Sequence, residues 1–128
     1  MIFRYTILYV KDVEASLALF KSAFGFETAF LHESKDYGEL DTGQTKLAFS
    51  SIELMQQLGK SPATDPVTTP SSEIAFETDD VAAALAKAVK AGAELVQEPC
   101  EMPWGQTIAY VRLPEGHLVE LCTAVQAP

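Results

Sequence analysis

Basic side chains are scarce in this chain. Nine Lys and Arg stand against eighteen Asp and Glu, for a net charge of −9. That balance argues against a phosphate-backbone partner, so no nucleic acid is expected. It suits a cationic ligand, although an acidic surface also serves solubility alone. Cysteine is limited to Cys100 and Cys122. The two could pair on parity, but without an export signal two free thiols in a reducing compartment are expected. No apolar run approaches a membrane span, and the first residues lack the basic-then-apolar layout of a secretory leader. A cytoplasmic protein with no membrane partner is therefore expected. Histidine occurs only at His32 and His117. There is no Gly-rich phosphate loop, no Cys-x-x-Cys and no nucleophile elbow, which removes the commonest nucleotide, redox and serine-hydrolase signatures.

What the chain does have is a repeat. The stretch Tyr5 to Ala18 has an echo 68 residues later, from Glu73 to Ala86, in which Asp12, Val13, Ala15, Leu17 and Ala18 recur as the same residues. Each copy is an alternating apolar run, an acidic residue, a helical pattern and a Gly-x-Glu (Gly25 to Glu27, Gly92 to Glu94). Two copies of one unit imply a pseudo-twofold fold, in which each residue can be compared with its twin. The 128 residues make one domain, able to bury roughly two-thirds of its unfolded-chain surface. Apolar content of 48% fits an ordinary globule of this kind. The repeat is a half-domain: module one over about 1–55, a linker over about 56–71 and module two over about 72–124.

The periodicity predicts a strand over 2–10 and a helix from Val13 to Phe24 capped by Asp12, with Val13, Leu17, Phe20 and Phe24 on its buried face. Strands follow near 26–33, 37–42 and 45–51, with a helical turn or two over Ile52–Leu58. Gly59 to Ser72, rich in Pro, Thr and Ser, is the linker. The second half predicts a strand over 72–78, a helix over Asp80–Ala91 with Val81, Leu85, Ala88 and Val89 inward, and strands near 93–98, 106–113 and 117–123. Ala124–Pro128 is a tail. The expected class is α+β: two βαβββ modules forming a curved, partly closed mixed sheet around a concave site, with the helices outside.

Strand parity then assigns faces. The more uniformly apolar rows, Leu8 with Val10 and Ile74 with Phe76, should meet the helices. That turns Tyr5, Ile7 and Tyr9 to the other side in module one, and Glu73 in module two. In the last strand Val119 and Leu121 face a helix, while Leu118, Glu120 and Cys122 face in. Four inward positions result: Tyr5, Ala48, Glu73 and Glu120. Two nearby carboxylates in a poorly solvated setting cannot both ionise easily, so one should hold its proton toward neutral pH. The alternative is that one of them pairs with Arg112, Arg4 or Lys46.

The strand–helix repeat, the Asp12–Phe26 stretch, Pro103-Trp104-Gly105-Gln106 and the run from Tyr110 to Leu121 resemble the vicinal oxygen chelate superfamily, the glyoxalase, bleomycin-resistance protein and extradiol dioxygenase group. The likeness covers nearly the whole chain. It implies the paired βαβββ architecture, a homodimer and a site in the sheet's concave face. It places the family's metal ligands at Tyr5, Ala48, Glu73 and Glu120, where the glyoxalase set is His, Glu, His, Glu. Only Glu120 matches. Alanine coordinates nothing, and two carboxylates without imidazole suit at most a weakly held Mg, Ca or Mn ion through Glu73 and Glu120. No cofactor is expected beyond that option.

Three functions follow as expectations. One is a metal-free binder of a small cationic or amphipathic aromatic molecule, like the bleomycin-resistance branch, with Tyr5, Ile7, Tyr9, Ala48, Trp104 and Cys122 as ligand contacts. Another is a lyase or isomerase using Glu73 and Glu120 as acid and base. The third is an interaction module whose hollow is plugged by Trp104, Tyr5 and Tyr9. Whether the chain is an enzyme stays open at this point.

Overall fold

The computed structural model describes residues 1–125; the tail expected over Ala124–Pro128 lies outside the described residues from Gln126 on. The chain divides into two compact units, Met1–Asp65 and Pro66 onward. Among the described residues no helix is long and apolar enough to cross a membrane.

In the first unit, β1 (Tyr5–Val10) leads into α1 (Val13–Phe24), followed by β2 (Thr28–Leu31), β3 (Tyr37–Leu40), β4 (Lys46–Ser51) and the short α2 (Ile52–Gln57). The helix starts after Asp12, which is itself extended and whose carboxylate accepts the Ala15 N–H at 3.0 Å. It ends at Gly25, whose N–H bonds the Lys21 carbonyl at 2.9 Å. The sheet runs β1-β4-β3-β2, with β1 parallel to β4 and the other pairs antiparallel. Val13, Leu17, Phe20 and Ala23 of α1 are buried. Phe20 meets Phe49 of β4 edge-on, with ring centroids 4.9 Å apart. Both rings are fully buried, each contributing about 2–3 kcal/mol relative to exposure. At Gly38 of β3 the helix comes so close that a Cβ would lie 3.0 Å from Leu17 Cδ1 and 3.1 Å from Val13 Cγ1.

The second unit repeats the plan: β5 (Ile74–Glu77), α3 (Val81–Lys90), β6 (Glu94–Glu101), β7 (Thr107–Arg112) and β8 (Leu118–Cys122). The order is β5-β8-β7-β6, and β5 is parallel to β8. Asp80 caps α3 by accepting the Ala83 N–H at 3.0 Å, and Lys87 and Lys90 in the last turn suit the negative end of the helix. Val81, Leu85 and Ala88 are buried. Val89, expected inward, is exposed: it lies on the edge of the stripe set by its three neighbours, in the last turn of a short helix.

Two four-stranded mixed sheets, neither closed into a barrel, give the α+β class that the repeat predicts. Strand ends follow their partners. Residues 2–4 are not in β1, because Tyr5 pairs with Lys46 and a turn precedes Lys46 in β4. β6 runs on to Glu101, beyond the expected end at 98, because Thr107 and Ile108 pair with Glu101 and Cys100.

Gly38→Ala should force α1 off β3. The expected loss is about 1–3 kcal/mol, read as a lower urea midpoint at unchanged slope.

Candidate functional site

The long helix of each unit, α1 or α3, packs on one face of its sheet, and the opposite row carries the polar groups. In the second unit that row is built by register. Ala75 pairs with Glu120 in β8, and Tyr110 of β7 pairs with Glu120 from the other side. Val119 and Leu121, the flanking residues, are buried in the core, which fixes Glu120 on the opposite face. Glu73, just before β5, has the same parity as Ala75. Tyr110 donates its hydroxyl to Glu73 Oε1 at 3.4 Å. Glu73 and Glu120 are close enough to hydrogen-bond each other, so the three form a phenol–carboxyl–carboxyl group.

Electrostatics follow from that contact. Burial, and then the hydrogen bond and charge of Glu73, hold the Glu120 carboxyl above the usual carboxylate range. Burial and the Glu73 hydrogen bond, with the charges of both acids, push the Tyr110 phenol up to about 12. It therefore remains a donor throughout the neutral range. Among the described residues, neither Glu73 nor Glu120 forms an ion pair with Lys or Arg. The three cations considered from the sequence include Lys46, which goes to Glu39, and Arg112, whose hydrogen bonds are to the Val67 and Thr68 carbonyls.

Cys122 shares the face and is buried. Its thiol contacts the Phe76 carbonyl at 3.7 Å, and burial with the charges of Glu120 and Glu77 keeps it protonated. Trp104 stands in the turn before β7, 60% exposed, with its indole N–H donated to Gln106 Oε1 at 2.9 Å. Gln106 in turn donates to the Thr123 carbonyl at 2.9 Å. The turn is thus anchored to the end of β8, with the ring outside the core. Among the described residues no hydrogen bond ties Trp104 to Glu73, Glu120 or Tyr110. His117 is half-buried and held toward its neutral form by burial.

In the first unit Tyr5, Ile7 and Tyr9 occupy the corresponding row, exposed by 44%, 42% and 42%. Ala48, their cross-strand neighbour through Ile7, is fully buried. A group missed from the sequence sits beside it. Glu39 of β3 pairs with Ala48 in register, accepts the Tyr37 hydroxyl at 2.7 Å on Oε2 and receives the Lys46 ammonium at 3.0 Å on Oε1. The Tyr37 hydrogen bond, and then Lys46, hold Glu39 below the usual carboxylate range against the opposing effect of burial. Burial, and then the Glu39 hydrogen bond and charge, push the Tyr37 phenol up. The Lys46 ammonium also lies 5.6 Å from the Tyr5 ring centre, within cation–π range. The alternation Tyr37-Gly38-Glu39-Leu40 carried the signal. Gly38 and Leu40 are buried, and that parity turns Tyr37 and Glu39 to the Ala48 side.

Among the described residues no group of three or more His, Cys, Asp or Glu comes together to hold a metal ion. The second-unit group can bind an ammonium or another hydrogen-bond donor, or pass a proton between its carboxyls.

Residues 2–121 match the family model described as "Glyoxalase/Bleomycin resistance protein/Dioxygenase superfamily". No curated protein matches the chain. Solved structures share the fold. A glyoxalase-related enzyme from Fulvimarina pelagi superposes with a TM-score of 0.81 at 23% identity, over 95% of this chain and 87% of its own. A glyoxalase/bleomycin resistance protein/dioxygenase family enzyme from Burkholderia phytofirmans PsJN gives 0.78 at 23% identity, over 95% and 97%. TioX from Micromonospora sp. ML1 gives 0.72 at 22%, over 94% and 96%. At these identities the likeness is one of fold.

The two acids predict opposite pH behaviour. Glu120, raised in the folded state, contributes stability below the ordinary carboxylate pKa, and that contribution is lost as pH rises through its folded value. Glu120→Gln should therefore gain on the parent protein in urea unfolding as pH rises from the ordinary carboxylate range through the folded Glu120 value. Glu39, lowered in the folded state, contributes above its unfolded value and loses that contribution on acidification. Glu39→Gln should be less stable by about 1–2 kcal/mol at pH 7, with the gap closing below the carboxylate range.

Proposed function

The chain belongs to the glyoxalase/bleomycin resistance protein/dioxygenase superfamily, and on that footing we propose that it binds a small cationic or amphipathic aromatic molecule, without the family's standard metal. One observation carries the reading: Glu73 and Glu120 share a sheet face with Tyr110 and have no Lys or Arg partner among the described residues. An ammonium or amidinium arriving there supplies the missing positive charge and draws the Glu120 carboxyl toward ionisation. The net charge of −9 favours the approach of cations.

The metal positions implied by the family resemblance hold Tyr5, Ala48, Glu73 and Glu120. A methyl group, a phenol and two carboxyls do not fit a glyoxalase-type transition-metal site. No step of the present reading runs through a metal. A homodimer and a cytoplasmic setting belong to the same proposal and rest on the family likeness and on the sequence.

One observation favours a second reading, that of a lyase or isomerase. Glu120 is held toward its protonated form beside Glu73. In such an enzyme the Glu73 carboxylate takes a proton from a carbon next to a carbonyl. The electron pair moves to the carbonyl oxygen, and Glu120 delivers its proton there. In this reading a weakly held divalent ion on the two carboxyls is an option.

Binding is checked by thermal shift with benzyltrimethylammonium and 1-naphthylmethylamine, against neutral naphthalene-methanol and anionic naphthoate. A cation at a hundred times its Kd should stabilise the protein by about 2.7 kcal/mol. The shift should shrink in Glu73→Gln and vanish in Glu73→Gln/Glu120→Gln. No shift with any cation, or an unchanged shift in the double variant, sinks the reading. Elemental analysis of protein taken from cells separates the metal-bearing alternative: a stoichiometric transition metal restores the glyoxalase assignment.

A further inference from the structure

Away from the two acids, the second unit contains a cavity of about 500 Å³ at the end of β7. That volume falls within the range of small-molecule sites, roughly 300–1,000 Å³. Its apolar wall comes from Pro66, Val67, Leu113 and Pro114, and its charged groups are Arg112 and Glu94. The Pro66–Thr68 side is a stretch of connecting segment packed against the β7–β8 turn. Gly116 in that turn shows how tightly the two are fitted. Its φ is +97°, and a Cβ there would fall 2.4 Å from the Val67 carbonyl oxygen and 2.5 Å from the Val67 nitrogen. No other residue type permits that approach without displacing the wall.

Arg112 is the unusual group in this cavity. It is half-buried, in a chain with twice as many acidic as basic side chains, yet among the described residues it forms no ion pair. Its hydrogen bonds are two long ones, at 3.5 and 3.4 Å, both from Nη1 to the main-chain carbonyls of Val67 and Thr68. A guanidinium has five N–H donors, so those on Nε and Nη2 have no acceptor among the described residues. Glu94 is its direct cross-strand partner, but the two do not form an ion pair. Glu94 is exposed and Arg112 half-buried, so the cation is the more enclosed charge.

We infer that this cavity is a binding site for a small monocarboxylate with an apolar body, the carboxylate meeting the Arg112 fork and the body lying against Pro66, Val67, Leu113 and Pro114. A planar fork with free donors matches a carboxylate through two parallel hydrogen bonds. The apolar wall selects for a hydrocarbon chain or ring. The Glu94 charge disfavours dianions. The site is independent of the Glu73–Glu120 group and takes a ligand of opposite charge. Because the connecting segment forms one wall, occupancy should also hold that segment to the sheet.

Hexanoate is a suitable probe, titrated into the ¹⁵N-labelled full chain and followed by amide shifts, with hexan-1-ol and hexylammonium as controls. Hexanoate should give saturable shifts centred on Val67, Thr68, Glu94, Arg112 and Gly116, and neither control should do so. Arg112→Gln should weaken binding by at least about tenfold, as expected for a lost charge-assisted pair. Glu94→Gln, which leaves the fork intact, should tighten it by about threefold. If Arg112→Gln fails to fold, Arg112→Lys and Glu94→Gln still decide the matter, the first weakening and the second tightening. The inference is overturned if hexanoate gives no saturable shift up to about 10 mM, if hexan-1-ol shifts the same amides equally, or if binding is indifferent to both Arg112→Lys and Glu94→Gln.

Discussion

The structure depends on a strict division of labour across each sheet. Strand side chains alternate, and the long helix of each unit covers one face of its sheet. Phe49 and Leu40 go to α1, while Val111, Val119 and Leu121 go to α3. Glu39, Glu73, Tyr110 and Glu120 are left on the opposite row because the helix-side row is filled. A slip of one residue in β8 would bury Glu120 against α3 and expose Val119 and Leu121, and that cost pins the register.

Within that frame the two units have diverged at equivalent places. Register makes Tyr5 the counterpart of Glu73, Ala48 of Glu120, and Glu39 of Tyr110. Each unit keeps an acid hydrogen-bonded to a phenol, but with the roles redistributed. In the first, Tyr37 and Lys46 hold Glu39 ionised, and its charge is satisfied internally. In the second, two acids share one phenol without a cation, and Glu120 is held toward neutrality. One unit therefore presents a compensated ion pair and aromatic rings, and the other an uncompensated acid pair.

The repeat and the alternation made most of the fold legible. Asp12 and Asp80 were identifiable as caps because each precedes an apolar helical stripe, and they cap α1 and α3. The rows of β1, β5 and β8 were readable from single residues because core and solvent faces differ in polarity. Glu39 was not legible in the same way, because the family's ligand pattern falls on Ala48 of β4 and not on its cross-strand neighbour in β3. The Arg112 cavity was not readable at all. It depends on Val67 lying against Gly116, a contact between residues 49 positions apart that no local pattern encodes. The ends of β1 and β6 depended on partner strands in the same way.

The separation of the two rows has an evolutionary corollary. Residues that decide whether the chain folds and residues that decide what it recognises occupy opposite sides of the same strands. Exchanges at Tyr5, Glu73, Tyr110 or Glu120 leave the packing of Phe20, Phe49, Val111 and Val119 untouched. Selectivity can then drift through many chemistries while the scaffold keeps its margin of stability. A lineage built this way diversifies by repainting one surface, and its members come to share a shape long after they have ceased to share a substrate.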